Sequence, residues 1–260
     1  MHYPSHLFEY QKDQPLAPEN LKITQDMLPK HVQETMENNG IKFQDQVRLC
    51  PNFYDKFNYV VHIAALKFYM EQGLELVTIH QGIRFFQSTW LKPYIALNTK
   101  KRSEATSNFE KNFFKLLINS VYGKCLENVR KYRDVRLTSS EAFAVKNASK
   151  VQYHSFTFID DDIVSMELFK SSVVLCKPVS VGMTILDLSK LHMMRFHYEI
   201  MKPSFDHIEI CFMDTDSYLY HIFGMNIREK LMELAEFFDF SNYPKDNPFY
   251  SNVNARKPGR

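Results

Sequence analysis

The stretch that decides the fold is HIEICFMDTDSYLYHIF, residues 207–223. Two runs of strand-forming residues flank Asp214, Thr215 and Asp216, and aspartate is a poor strand former. The pattern therefore predicts a β-hairpin with both carboxylates at its tight connection. Aspartate favours turns in any protein, and that plain reading stays open beside a chemical one. An EF-hand loop is excluded, because neither its glycine nor its closing glutamate follows at the required offsets. Two carboxylates crowded at the end of an apolar hairpin repel unless a cation offsets them. That requirement points to Mg²⁺, a hard ion that takes oxygen ligands and fills its other positions with water or phosphate.

Upstream of the hairpin, residues 186–201 have helical spacing, and β-rich runs lie at 135–137 and 151–158. An acidic turn is expected at Asp160, Asp161 and Asp162, followed by a strand pair reaching Val181. Ser88–Leu97 reads as a short helix, and Thr99 or Ser103 as the cap of a longer one running to about Tyr122. Tyr59–Glu71 is helical up to Gly73, and Leu74–Phe86 alternates as a strand does. The first sixty residues hold five prolines and read as loop-rich, with one short helix near Met27–Asn38. The fold class is α+β.

The long helix carries the second constellation. At 100° per residue, Lys101, Asn108, Lys111, Asn119 and Tyr122 all fall within roughly 40° of Lys115. Phe113 and Leu117 fall opposite, so the remainder of the helix is expected to pack. A solvated basic stripe is the plain reading. Against it, Glu104 is placed to pair with Lys101, but from Asn108 to Tyr122 no carboxylate shares the face. Lys111 and Lys115, four residues apart, repel unless a multivalent anion lies between them, and a triphosphate answers that need.

Charge is distributed to match. Lys92–Arg136 holds 11 Lys or Arg and 4 Asp or Glu, a local +7, so the rest of a chain of net charge +2 carries −5. Such a segment attracts polyanions. With 45% apolar and 24% charged residues in 260, the chain is neither disordered nor fibrous, and seven glycines leave little for a glycine-rich nucleotide cradle. Cys50, Cys125, Cys176 and Cys211 form no C-x-x-C pair, which supports neither a zinc knuckle nor a disulfide scaffold and points to a reducing, intracellular setting, with nucleus or cytoplasm left open. No apolar run reaches spanning length and no signal peptide opens the chain, so no membrane partner is expected.

A phosphate-seeking helix and a metal-seeking hairpin in one chain point to nucleotidyl transfer. The residues that specify it resemble a known family. Lys115-Leu-Leu-Ile-Asn119-Ser120-Val121-Tyr122-Gly123 resembles the fingers motif K-x-x-x-N-S-x-Y-G of family B DNA polymerases, and Asp214-Thr215-Asp216-Ser217 their palm motif D-T-D-S. WLKPYIALNTKKR, FFKLLINSVYGKCLENVRK, ILDLSK and YPKDNPFYS resemble the protein-primed branch of large DNA transposons and related viruses, from about Phe8 to Arg256.

The resemblance implies a partial polymerase right hand: a palm-adjacent region over 1–87, fingers over 88–123, an insertion over 124–178, and palm over 179–260 with an antiparallel sheet carrying the hairpin. It implies that Lys115 contacts the triphosphate of an incoming dNTP, with Asn119 supporting it, Tyr122 under the nascent base pair and Lys101 as a further cation, Arg102 being the alternative. Gly123 would admit the template, with Ser120, Lys124 and Arg130 along the DNA. Asp216 and Asp214 would be the metal carboxylates of a two-Mg²⁺ site that is only partly encoded here. DNA template-primer, dNTP and a priming terminal protein are the implied partners.

The family's earlier palm motif, D-x-x-S-L-Y-P, does not precede Lys115, because Asp13, Asp26, Asp45 and Asp55 have other followers. No exonuclease motif set is found, and RKPGR closes the chain before a thumb. The expectation is a fragment of a longer reading frame that is inactive alone. Two rivals stand beside it: an inactive mobile-element remnant that at most binds nucleic acid, and a metal-dependent nuclease, which has no use for the Lys115 face.

Overall fold

The computed structural model describes residues 1–224 and 226–255; the closing RKPGR lies outside the described residues. The chain forms two compact units, one from Met1–Thr89 with the segment from Leu186 onward, the other from Trp90–Ile185. Helices and antiparallel sheets are mixed throughout.

The first unit is built around helix α2, Ile63–Glu71, whose Ala65, Phe68 and Tyr69 are buried at helical spacing. His62 caps it by accepting from the Ala64 N–H, and Gly73, at φ +102°, stops it as the sequence predicts. Phe68 packs with Tyr3, Leu16, Ala17 and Leu74, and with Leu191, Met194 and Tyr198 from the other end of the unit. The helix that supplies Leu191 and Met194, Val179–Arg195, continues as a π-helical turn over Phe196–Met201.

Met201, Phe205 and Ile208 begin a second cluster, which takes in Tyr220 and Ile222. These last residues belong to the hairpin of His207–Asp214 and Ser217–Phe223, paired antiparallel with Asp214 opposite Ser217 next to the turn. Exposure alternates along the second strand of that hairpin, as a period-2 element with one covered face requires.

Two expectations fail in this unit. Leu74–Phe86 forms no strand; Glu75 alone bridges, to His2. Its alternation is real, but no neighbouring strand pairs with it, and Val77, Ile79 and Ile83 stand exposed. The opening region is less loop-rich than its prolines suggest, because Glu19–Ile23 pairs with Gln46–Cys50 across helix α1, Lys30–Asn38. An ion pair of 2.8 Å between Lys22 and Asp45 lies at the end of that ladder.

The second unit holds two packed helices, a three-stranded sheet, a short helix at Glu141–Ala148 and the start of the helix at Val179. Helix α3, Lys92–Glu104, starts with Pro93 in its first turn, where a missing N–H costs nothing. Helix α4, Asn108–Cys125, starts at a capping box: the Glu110 N–H donates to Ser107 Oγ at 3.1 Å while the Glu110 carboxylate accepts from the Ser107 N–H. The single long helix expected from Thr99 or Ser103 is therefore two. The sheet runs in the order Arg133–Thr138, Ile163–Phe169, Tyr153–Asp160, all antiparallel, with Met166 and Leu168 buried. The acidic turn at Asp160–Asp162 joins its last two strands, but the strand pair reaching Val181 reduces to the strand ending at Phe169.

Among the described residues no helix is long and apolar enough to cross a membrane.

His197 is fully buried in the first unit, stacked on Tyr220 at 5.8 Å with Nδ1 3.2 Å from the Tyr220 hydroxyl. Burial, helped by the charge of Lys202, pushes its pKa down to about 4. The unfolded chain therefore binds more protons than the folded one between about pH 6.5 and 4. The stability held by the neutral ring is complete above that window and falls as pH drops through it, by up to about 1.4 kcal/mol per pH unit. Urea midpoints measured from pH 7 to 4 should fall, and His197→Phe should flatten that fall.

Candidate nucleotide and metal residues

On α4, Lys111, Lys115, Asn119 and Tyr122 lie on one uninterrupted helix at spacings of four, four and three, so they share a stripe. Lys111, Lys115 and Asn119 are exposed and Tyr122 is half-buried. The one acidic residue of the first turn, Glu110, is committed to the capping box, and no ion pair reaches Lys111 or Lys115 among the described residues.

Lys101 lies elsewhere. Its expected place on the same helix face is overturned, since Ala105, Thr106 and Ser107 break the helix and put Lys101 on α3. Packing of α3 against α4 brings it to the flank of α4, about 100° around from Lys115: Lys101 Nζ lies 5.8 Å from the ring centre of Phe114, and the Tyr94 hydroxyl donates to the Leu117 carbonyl at 3.2 Å. Glu104 does not pair with Lys101 but with Lys100, at 3.8 Å, because those two are four apart on α3. The opposite face of α4 is not packed as expected either. Phe109, Phe113 and Leu116 are 79%, 46% and 64% exposed, although Phe109 and Phe113 stack on each other.

Beyond Tyr122 the surroundings differ from residue to residue. A Cβ built on Gly123 would meet nothing within 4 Å, and its φ is ordinary, so neither packing nor backbone conformation asks for glycine there. The Ser120 hydroxyl turns back to the Leu117 carbonyl at 3.0 Å. Arg130 is exposed in a short 3₁₀ turn.

Lys124 is engaged. Glu127 lies 2.8 Å from both Lys124 and Lys177, and hydrogen bonds from these two and from Tyr132 hold its carboxyl down at about 2. The sequence reading did not single out Glu127; the K-x-x-E spacing of 124–127 is the signal that marks it.

In the other unit, the D-T-D-S residues form the turn of the hairpin and are all exposed. Thr215 has φ +43°, a left-handed conformation that a β-branched residue adopts at a cost. Local bonds hold it: the Asp216 N–H and the Ser217 hydroxyl both donate to the Asp214 carbonyl, and the Thr215 hydroxyl donates to Asp214 Oδ1 at 3.2 Å. Asp214 and Asp216 enter no ion pair with a basic side chain among the described residues. Two exposed carboxylates fit a hard divalent ion that completes its shell with water and phosphate oxygens. Among the described residues no group of three or more His, Cys, Asp or Glu is arranged to hold a metal.

Comparison with known proteins bears on the helical constellation and not on the hairpin. The chain matches the family "DNA polymerase type B, organellar and viral" over residues 5–203. That span includes α3, α4 and the sheet of the second unit and ends just before the hairpin at His207. No curated protein and no solved structure matches the chain. The match covers well over half of the sequence, and the chain belongs to the organellar and viral type B DNA polymerases.

Proposed function

We propose that this chain supplies the nucleotide-holding fingers and the hairpin side of the palm in a protein-primed type B DNA polymerase of the transposon and virus branch. In this reading 88–123 are fingers, 124–178 an insertion, 179–260 palm and 1–87 the region beside it. The observation that carries the proposal is the stripe on α4, where two lysines four residues apart have no carboxylate to offset them. Repulsion of that kind is relieved by a multivalent anion, and the family's substrate, a dNTP, brings one.

Lys115 and Lys111 hold the phosphates, with Lys101 or its neighbour Arg102 adding charge from α3. Asn119 fixes orientation by hydrogen bonding, and the half-buried ring of Tyr122 lies under the sugar and base. Gly123 serves the approach of the template: glycine lowers helix stability and nothing inside the protein requires it. Ser120 and Arg130 continue the surface along the DNA, and Lys124, shared with Glu127, contributes least.

Asp216 and Asp214 would hold Mg²⁺ together with substrate phosphate, and the ion would supply charge neutralisation at the reacting phosphate. A hydroxyl of a terminal protein, and later the primer end, attacks the α-phosphate of the dNTP, the bond to the β-phosphate breaks and pyrophosphate leaves.

Lys115→Ala should weaken binding of a fluorescent dNTP at least tenfold while changing folding stability by no more than about 0.5 kcal/mol. A large stability loss would make Lys115 structural. Gly123→Ala should do the reverse, stabilising the chain by about 0.5 kcal/mol while weakening its hold on a primed template.

Duplex DNA should bind without strong sequence preference and weaken steeply from low to moderate salt, as counterion release through the 92–136 segment requires. Salt-indifferent affinity would remove the electrostatic footprint.

Two turn carboxylates serve only one side of a two-metal clamp, so the 260-residue chain should not extend a primer with Mg²⁺ and dNTPs. Extension that disappears in Asp216→Ala would show a complete site instead.

A further inference from the structure

Gln14 is 4% exposed and lies far in sequence from the hairpin, yet its side chain touches both hairpin strands. Its Oε1 accepts from the Tyr218 hydroxyl at 2.7 Å, and its Nε2 donates to Met213 Sδ at 3.4 Å. Met213 and Tyr218 are register partners, and the next pair, Asp214 with Ser217, closes the turn. One carboxamide therefore bridges the two strands a single step below the exposed carboxylates.

The segment that presents Gln14 is itself tied down. The Gln14 carbonyl accepts from the Tyr198 hydroxyl at 2.6 Å. Leu16 is fully buried, and its N–H donates to the Tyr3 hydroxyl at 3.1 Å. A fixed donor and acceptor pair of this kind limits how the two strands splay. Splay at that level displaces Asp214 and Asp216 directly, because the turn between them is only two residues long.

We propose that Gln14 is a positioning residue for the Asp214–Asp216 turn, a buried carboxamide that sets the geometry of the carboxylates from beneath. An amide suits the place: it donates and accepts at once and adds no charge below two aspartates, where a carboxylate would repel them. The link to metal binding rests on the reading of Asp214 and Asp216 given above; the mechanical link to the turn does not.

The test uses the whole chain, with Gln14→Leu, which keeps the bulk, and Tyr218→Phe, which removes one hydroxyl and is the milder change. Amide hydrogen exchange reads the turn directly. Both variants should speed exchange at Asp216 and Tyr218 by about tenfold or more relative to the ladder of Glu19–Ile23. Exchange that is unchanged, or that rises equally everywhere, overturns the proposal and leaves Gln14 a general core residue.

Mn²⁺ alone, followed by paramagnetic broadening of the turn signals, reads the second half. Folded Gln14→Leu should need about tenfold more Mn²⁺ than the wild type, the scale of groups that orient metal ligands, and Asp216→Asn should abolish the effect. Faster turn exchange with unaltered Mn²⁺ affinity overturns the positioning role. Wild type and Asp216→Asn broadening alike would instead remove the metal reading, while exchange still decides whether Gln14 holds the turn.

Discussion

The first unit depends on one packing requirement: residues near the beginning of the chain and residues near 191–201 have to bury each other. Leu16 and Phe68 are fully buried, and the partners that cover them include Leu191, Met194 and Tyr198. A buried leucine or phenylalanine is worth roughly 1.5–3 kcal/mol relative to exposure, so this shared core outweighs any single polar contact in the unit. Tyr198 joins the core to the polar layer above it. Its ring packs in the cluster with Phe68, and its hydroxyl donates to the Gln14 carbonyl. From there the side chain of Gln14 reaches the hairpin, and a hydrophobic constraint becomes a constraint on two carboxylates.

In the second unit the governing term is electrostatic. Helix α4 satisfies its N-terminus with a capping box and its C-terminus with the Leu126 N–H, which donates to the Tyr122 and Gly123 carbonyls, so both ends are settled locally. Between them Lys111 and Lys115 remain unneutralised, and exposed phenylalanines occupy other parts of the same surface. Salt screens such charges over about 8 Å under physiological conditions, so the repulsion costs a free helix little. A bound polyphosphate at contact distance is screened far less. The arrangement is therefore tolerable without an anion and favourable with one, which is why the proposed function rests on it.

The sequence makes some of this legible and hides the rest for physical reasons. The 207–223 hairpin and the helical run before Gly73 are carried by local pattern, and they form where expected. The break between α3 and α4 was also written locally, in Ser107-x-x-Glu110, but periodicity runs through it and suggests one helix. Leu74–Phe86 shows the opposite failure: its alternation suits a strand, yet a strand exists only when another pairs with it, and pairing is not a local property. The position of Lys101 beside Phe114 follows from helix packing, and the contacts of Gln14 span about two hundred residues. Neither leaves a trace in any window of sequence.

Two positions break local rules. Thr215 holds a left-handed backbone that disfavours a β-branched side chain, and Gly123 occupies a helix where an added Cβ would touch nothing. Alanine at 123 would meet no neighbour, and glycine or asparagine at 215 would ease the backbone while giving up the hydroxyl bond to Asp214. One lies between the two turn carboxylates, the other directly after Tyr122 on the cationic helix. Local inconsistencies concentrate where a structure serves something other than its own folding. Both fall within the two stretches that resemble family motifs, and backbone conformation and empty space single them out without reference to that resemblance.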